Sequence, residues 1–174
     1  MQAAIEAGAD MVNDVNALQA EGAFEICARY QLPVCLMHMQ GQPRTMQKNP
    51  QYNDVVEDIK NFLQQRMNAC IDAGIDAQNI ILDPGFGFGK TVSQNYSLLK
   101  HLHEFLSLNQ PLLIGVSRKN MLAEIIQQPP KQRVVATAAA NVLALNKGAK
   151  IFRVHDVKEN IEALKIAQAM LDAP

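Results

Sequence analysis

The 174-residue chain has no cluster of basic residues, no apolar run long enough to cross a bilayer, and only three cysteines. Each lack excludes something. Sixteen Lys and Arg stand against 17 Asp and Glu, a formal net charge of −1. Without a basic stretch the chain offers no electrostatic footprint for nucleic acid or an anionic membrane. The longest weakly polar stretch, Val134–Leu145, is interrupted by Thr137 and Asn141 and falls short of the roughly 20 residues of a membrane span. Met1 leads straight into Gln2-Ala3-Ala4-Ile5-Glu6, with neither the basic nor the apolar region of a secretory leader, so no signal peptide is expected. Cys27, Cys35 and Cys70 are odd in number and lack ligand-like spacing. They fit buried thiols in a reducing cytoplasm better than disulfides or zinc. What is present, 48% hydrophobic and 19% charged residues, is globular material sufficient for a core.

Apolar periodicity sets out an α/β chain. Strands are expected at Asp10–Asp14, Pro33–His38, Ile80–Asp83, Pro111–Gly115 and Lys150–Val154. Helices are expected at 1–8, Gly22–Tyr30, Asp54–Ala73, Ser93–Phe105, Met121–Ile126, Arg133–Asn146 and Lys158–Leu171, with a polar loop over Gln40–Asn53. The clearest helix is Asp54–Ala73, where Val55, Val56, Ile59, Phe62, Leu63, Met67, Cys70 and Ile71 recur at three- and four-residue steps before Gly74. The strands read as continuous apolar runs, the mark of a parallel sheet covered on both faces. No linker divides the alternation, so one domain is expected over residues 1–174.

The stretch Ile80–Lys90, I-I-L-D-P-G-F-G-F-G-K, carries the strongest functional signal. Three apolar residues run into Asp83, Pro84 stops the strand, and Gly85, Gly87 and Gly89 alternate with Phe86 and Phe88. A carboxylate at the carboxyl end of a buried parallel strand faces the cleft where α/β proteins bind ligands, although an Asp there also serves as a helix cap or turn residue. Two phosphate motifs fail. Gly89-Lys90-Thr91 ends a P-loop correctly, but Pro84 stands where its first glycine is needed. A dinucleotide fingerprint meets Lys90 in place of its last glycine.

The other strands also end in polar residues: Asn13-Asp14, His38, Ser117-Arg118-Lys119 and Arg153-Val154-His155. In a parallel sheet these ends share one side, which predicts a common site. Acceptor-rich Asn13 and Asp83 beside cationic Lys119, Arg153 and His155 suit a ligand with a polar heterocyclic edge and an anionic end, such as a phosphate ester.

Five motifs in order, I/V-N-D, C-L-M-H-M-Q-G-x-P-x-T-M, L-D-P-G-F-G-F-G-K, S-R-K and R-V-H-D-V, resemble the dihydropteroate synthase family over essentially the whole chain. The resemblance implies a (β/α)8 barrel that joins a dihydropterin pyrophosphate to the amine of p-aminobenzoate, releasing pyrophosphate, in a cytoplasmic, homodimeric sulfonamide target. It implies that Asn13 and Asp83 hold the pterin, with Met37 as a wall, and that Lys119 contacts the pterin from the next strand end. Arg153 and His155 would bind the diphosphate, with Gly115 and Ser117 beside them. Phe88 would lie near p-aminobenzoate. Lys119, Arg153 and His155 are the residues that would assist departure of pyrophosphate, with magnesium as the family's cofactor and its ligand outside these residues. One departure is Asn120, where many members carry serine.

A barrel of this kind needs about 250 residues, so an incomplete barrel of about five strand–helix units is expected, truncated at the N-terminus and lacking the family's first three strands. Two other readings stay open. One is a non-catalytic fragment or split-barrel partner. The other is a pterin-binding methyltransferase, which shares the Asn and Asp but has no need of the S-R-K and R-V-H cations.

Overall fold

Every residue from 1 to 174 is described by the computed structural model. Five parallel strands form an arc. β1 (Val12–Asp14), β2 (Val34–Met37) and β3 (Ile80–Asp83) make one sheet, and β4 (Leu113–Ile114) and β5 (Ile151–Phe152) make a second. A parallel bridge between Leu82 and Leu112 joins β3 to the start of β4, so the order across the arc is the order of the chain. β1 and β5 do not pair with one another, and each leaves one edge unpaired.

The helices α1 (Gln2–Glu6), α2 (Ala23–Tyr30), α3 (Val55–Asp72), α4 (Val92–Lys100), α5 (Asn120–Ile126), α6 (Val134–Asn146) and α7 (Val157–Leu171) fill the connections. α3 begins where Asp54 accepts from the Val56 and Glu57 amides, and α4 begins at a reciprocal capping box between Thr91 and Gln94. Because successive strand side chains alternate in direction, the sheet has two unlike faces. Val12, Val34, Leu36, Ile80, Leu82, Leu112 and Ile114 join the helices in a core cluster of 31 buried residues. Cys35, Ile81 and Leu113 form a separate buried cluster of three on the other, concave face, with Met11 and Ile151 packed against it. All three cysteines are free and buried.

Three expectations shift. β1 is not a continuous apolar run: Val12 is buried, Asn13 is exposed and Asp14 half-buried, as suits an edge strand. β4 and β5 are two residues each. Pro111 has no N–H to offer β4, and beyond β4 the Ser117 Oγ, not a backbone carbonyl, accepts the His155 amide at 3.1 Å. The expected helix over Ser93–Phe105 is α4 followed at His101 by a 3-10 segment, Leu102–Leu108. Leu98, Leu99, Leu102, Phe105 and Leu108 are buried throughout, and three- to four-residue spacing does not distinguish the two helix types.

Candidate active site

Asp83 is the last residue of β3 and faces the concave side, since it pairs in register with Met37, two residues beyond Cys35. It is 1% exposed. Its Oδ1 accepts the Gly85 amide at 2.7 Å, and its Oδ2 has no hydrogen-bond partner. The nearest cation to Oδ2 is the Arg153 Nη2 at 3.9 Å, too far for a hydrogen bond. Burial pushes the Asp83 carboxyl above its ordinary range, opposed by the Gly85 N–H and by the charges of Lys119, Arg153 and Lys90. A buried acceptor with an unused oxygen is poised for a ligand donor.

The chain after Asp83 is tied down one carbonyl at a time. Lys90 Nζ donates to Gly85 O at 2.8 Å and Phe88 O at 3.0 Å. Lys119 Nζ donates to Phe86 O, Gln47 Nε2 to Gly87 O at 2.5 Å, and Tyr52 OH to Gly89 O at 2.7 Å. The Gly87 amide donates to Asn95 Oδ1 at 2.7 Å and the Phe88 amide to Gly85 O at 3.1 Å. Amides committed in this way cannot cradle a phosphate, in keeping with the failed P-loop pattern. Gly85 has φ +72°, and a Cβ there would run into the His38 carbonyl oxygen, so this close approach requires glycine.

Opposite Asp83, the segments following β4 and β5 supply the cations. Lys119 Nζ lies 4.4 Å from the Phe88 ring centroid. Burial lowers its pKa to about 8, with Asp83 raising it and Arg153 lowering it further. Ser117 Oγ is 2.9 Å from His155 Nδ1, which joins the two segments. A small cavity of about 210 Å³ is lined by Phe88, Gly115, Ser117, Lys119, Arg153, Val154 and His155. Gly115 leaves room for the guanidinium: a Cβ there would lie 3.1 Å from Arg153 Nη2. Phe88 and Lys119 also border a second cavity of about 510 Å³ that runs past Met46, Gln47, Asn95, Asn120 and Met121. Lys119 therefore stands between two adjoining spaces, the smaller shared with Arg153 and the larger with Lys90.

Of the residues expected at the site, Phe88, Gly115, Ser117, Lys119, Arg153 and His155 line one cavity, and Asp83 adjoins it through Arg153. Met37 is buried beside Asp83. Asn13 shares their face of the sheet, in register with Cys35, but is exposed on the edge strand and has no hydrogen bond to the group. Three strand-end residues turn elsewhere. Asp14 accepts the Asn16 and Leu18 amides. Arg118, at φ +59°, forms a bidentate pair with Asp156 at 3.0 and 2.5 Å. His38 follows inward-facing Met37, so alternation sends it to the helix side, edge-on to Phe62 at 5.0 Å. The residue that sequence reasoning missed is Lys90, whose ammonium is buried beneath the glycine loop.

The family described as pterin binding enzyme matches residues 1–155. A dihydropteroate synthase of Haemophilus influenzae is 50% identical over 173 residues, covering 99% of this chain and 63% of that protein. The Yersinia pestis dihydropteroate synthase structure with a sulfonamide drug superimposes with a TM-score of 0.97 at 48% identity, covering 99% of this chain and 63% of that one. The Xanthomonas albilineans enzyme in complex with 7,8-dihydropteroate gives a TM-score of 0.93 at 42% identity, with coverage of 99% and 63%. The chain thus spans less than two thirds of the length of these relatives.

Proposed function

The chain belongs to the pterin-binding enzyme family, and from that premise we propose that its cleft is the pterin and diphosphate part of a dihydropteroate synthase site. The reaction is condensation of 6-hydroxymethyl-7,8-dihydropterin pyrophosphate with p-aminobenzoate, giving 7,8-dihydropteroate and pyrophosphate. The observation that carries this reading is the buried Asp83 oxygen without a partner, 3.9 Å from the guanidinium of Arg153. A carboxylate in that setting accepts a paired N–H edge such as that of an amino-pyrimidine. The cations at the other end suit the diphosphate.

In this reading Met37 backs the ring and Asn13 closes over it from the edge strand. Lys119, Arg153 and His155 stabilise charge on the departing pyrophosphate, and Gly115 and Ser117 hold the last two in place. The amine of p-aminobenzoate approaches from the larger cavity, past Phe88. Positioning and charge stabilisation supply most of the rate in such a scheme. Magnesium, which the resemblance implies, has no donor set here: no three His, Cys, Asp or Glu side chains lie together. No step is assigned to it, and a protein ligand for such an ion would come from outside these residues.

We read the protein as a cytoplasmic homodimer. The free buried thiols favour a reducing compartment, and the exposed Val135, Leu143, Ile166 and Met170 on α6 and α7 favour self-association. No helix is long and apolar enough to cross a membrane. The unpaired edges of β1 and β5 favour a second reading, in which the arc works as one half of a barrel completed by another piece.

Asp83→Asn tests the first reading. The substitution sets a donor against a donor, which costs about 1–3 kcal/mol or more. Affinity for 6-hydroxymethylpterin, followed by its fluorescence, is expected to fall at least about tenfold. An unchanged dissociation constant removes Asp83 from the site.

A further inference from the structure

One buried charge has no part in the scheme above. Lys90 is 3% exposed, and its ammonium has three donors. They meet three groups: Gly85 O at 2.8 Å, Phe88 O at 3.0 Å and His38 Nδ1 at 3.0 Å. For all three to be used, the His38 Nδ1 must accept, so the imidazole is neutral with its proton on Nε2. That agrees with the burial and the Lys90 charge that together push the His38 pKa down to about 3. An ammonium satisfied on all sides by protein has no donor left for a ligand. Its influence must act through what it holds.

What it holds is the turn beside Asp83. Gly85 joins two consecutive peptide groups: the N–H of the first occupies Asp83 Oδ1 at 2.7 Å, and the carbonyl of the second is drawn to Lys90 at 2.8 Å. The Phe88 carbonyl, drawn to the same ammonium, places the Phe88 ring where Lys119 lies over it. Lys90 also favours the ionised form of Asp83, and Asp83 in turn favours the charged form of Lys90. We propose that Lys90 is a positioning residue for the Asp83 acceptor, its ammonium pinning the Gly85 and Phe88 carbonyls so that Oδ1 is steadied by the Gly85 amide and Oδ2 stays open to a ligand donor. The consequence for ligand binding rests on the pterin reading above.

The arrangement carries a pH signature. Burial brings the Lys90 pKa down to about 7, Asp83 raising it and Lys119 lowering it further. Loss of its proton frees the Gly85 and Phe88 carbonyls and removes a charge beside Asp83. Five titratable side chains face this region. Asp83 comes from β3, His38 follows β2, and Tyr52 bonds the Gly89 carbonyl. Lys119 and Arg153 stand on the cleft side.

The test compares the 174-residue protein with Lys90→Met and with Lys90→Gln, which keeps donors without charge. NMR follows the Gly85 amide and the Asp83 carboxyl carbon from pH 5 to 10, a range chosen to span about two or more pH units around the ammonium's pKa. In Lys90→Met, Asp83 is expected to titrate at higher pH than in the parent, and the Gly85 amide to exchange faster. Lys90→Gln is expected to restore the amide but not the Asp83 titration. Affinity for 6-hydroxymethylpterin should fall at least about tenfold in Lys90→Met. Should that variant not fold, the unsubstituted protein decides: its Gly85 and Asp83 signals must move with the Lys90 amine, observed through labelled lysine. Signals indifferent to Lys90 in the parent or the variants overturn the proposal. If they respond but the parent binds no pterin, the positioning role stands and the pterin reading fails.

Discussion

Asp83 and Arg153 lie 3.9 Å apart in opposite surroundings: the carboxylate side chain is 1% exposed and the guanidinium side chain 45%. On the Asp83 side, four side chains hold the carbonyls of Gly85 to Gly89: Lys90 from the end of the loop itself, Gln47 and Tyr52 from the segment after β2, and Lys119 from the segment after β4. On the Arg153 side the Ser117 hydroxyl and the Arg118–Asp156 pair link the two cation-bearing segments, but the Arg153 guanidinium itself makes no hydrogen bond. The difference fits the chemistry that the proposed reading asks of each end. A planar heterocycle edge demands fixed acceptors, and a fixed polar group in a dry setting costs little reorganisation when used. A diphosphate that arrives attached and leaves free is better met by a side chain able to move with it.

The largest effect comes from disturbing the rigid side. Gly85→Ala places a Cβ against the His38 carbonyl oxygen at a φ of +72°. Because the clash is with backbone, unfolding measurements should show a loss of about 3 kcal/mol or more. His38→Gln gives an effect confined to acid pH. The folded imidazole has a pKa of about 3, whereas an unfolded one has about 6.5. Between those values the unfolded chain binds a proton that the folded chain does not, so His38 makes stability fall as pH drops from about 6.5 towards 3, by up to about 1.4 kcal/mol per unit. Gln keeps an acceptor for Lys90 and removes that term, so urea unfolding from pH 7 to 4 should show a flatter acid limb. The smallest effect belongs to the open side. At Gly115 a new Cβ meets only the end of the Arg153 side chain, at 3.1 Å. Gly115→Ala should therefore change stability by less than about 1 kcal/mol while weakening a pterin diphosphate ester. A large loss of stability there would erase the contrast between the two sides.

The contrast also explains what the sequence disclosed. Strands β2 and β3 and helix α3 were readable because apolar runs and three- to four-residue steps act locally, whereas the Asp54 and Thr91 caps of α3 and α4 emerge only in the structure. Asp83, Lys119 and Arg153 were readable because carboxyl ends of parallel strands share one side. His38 directly follows Met37, the last residue of β2, and extended neighbours cannot both face inwards, so period-two alternation held the signal that His38 points away. Lys90 was not legible. Its partners are backbone carbonyls of residues two and five positions earlier and a histidine 52 positions away, and no spacing rule marks a lysine folded back beneath its own loop. The direction of Arg118 towards Asp156 was equally hidden, since it follows from a left-handed backbone at a non-glycine residue.

The central claim is that one end of the cleft reads a heterocycle and the other reads an anion. Arg153→Ala tests it most directly, through the dissociation constants of 6-hydroxymethylpterin and of its pyrophosphate ester for the parent and the variant. The account predicts that the ester loses about tenfold or more, since charge-assisted bonds contribute about 1.5–3 kcal/mol, while the alcohol changes by less than about threefold. Equal losses for the two ligands would contradict it and would leave Arg153 as no more than a structural partner of Asp83.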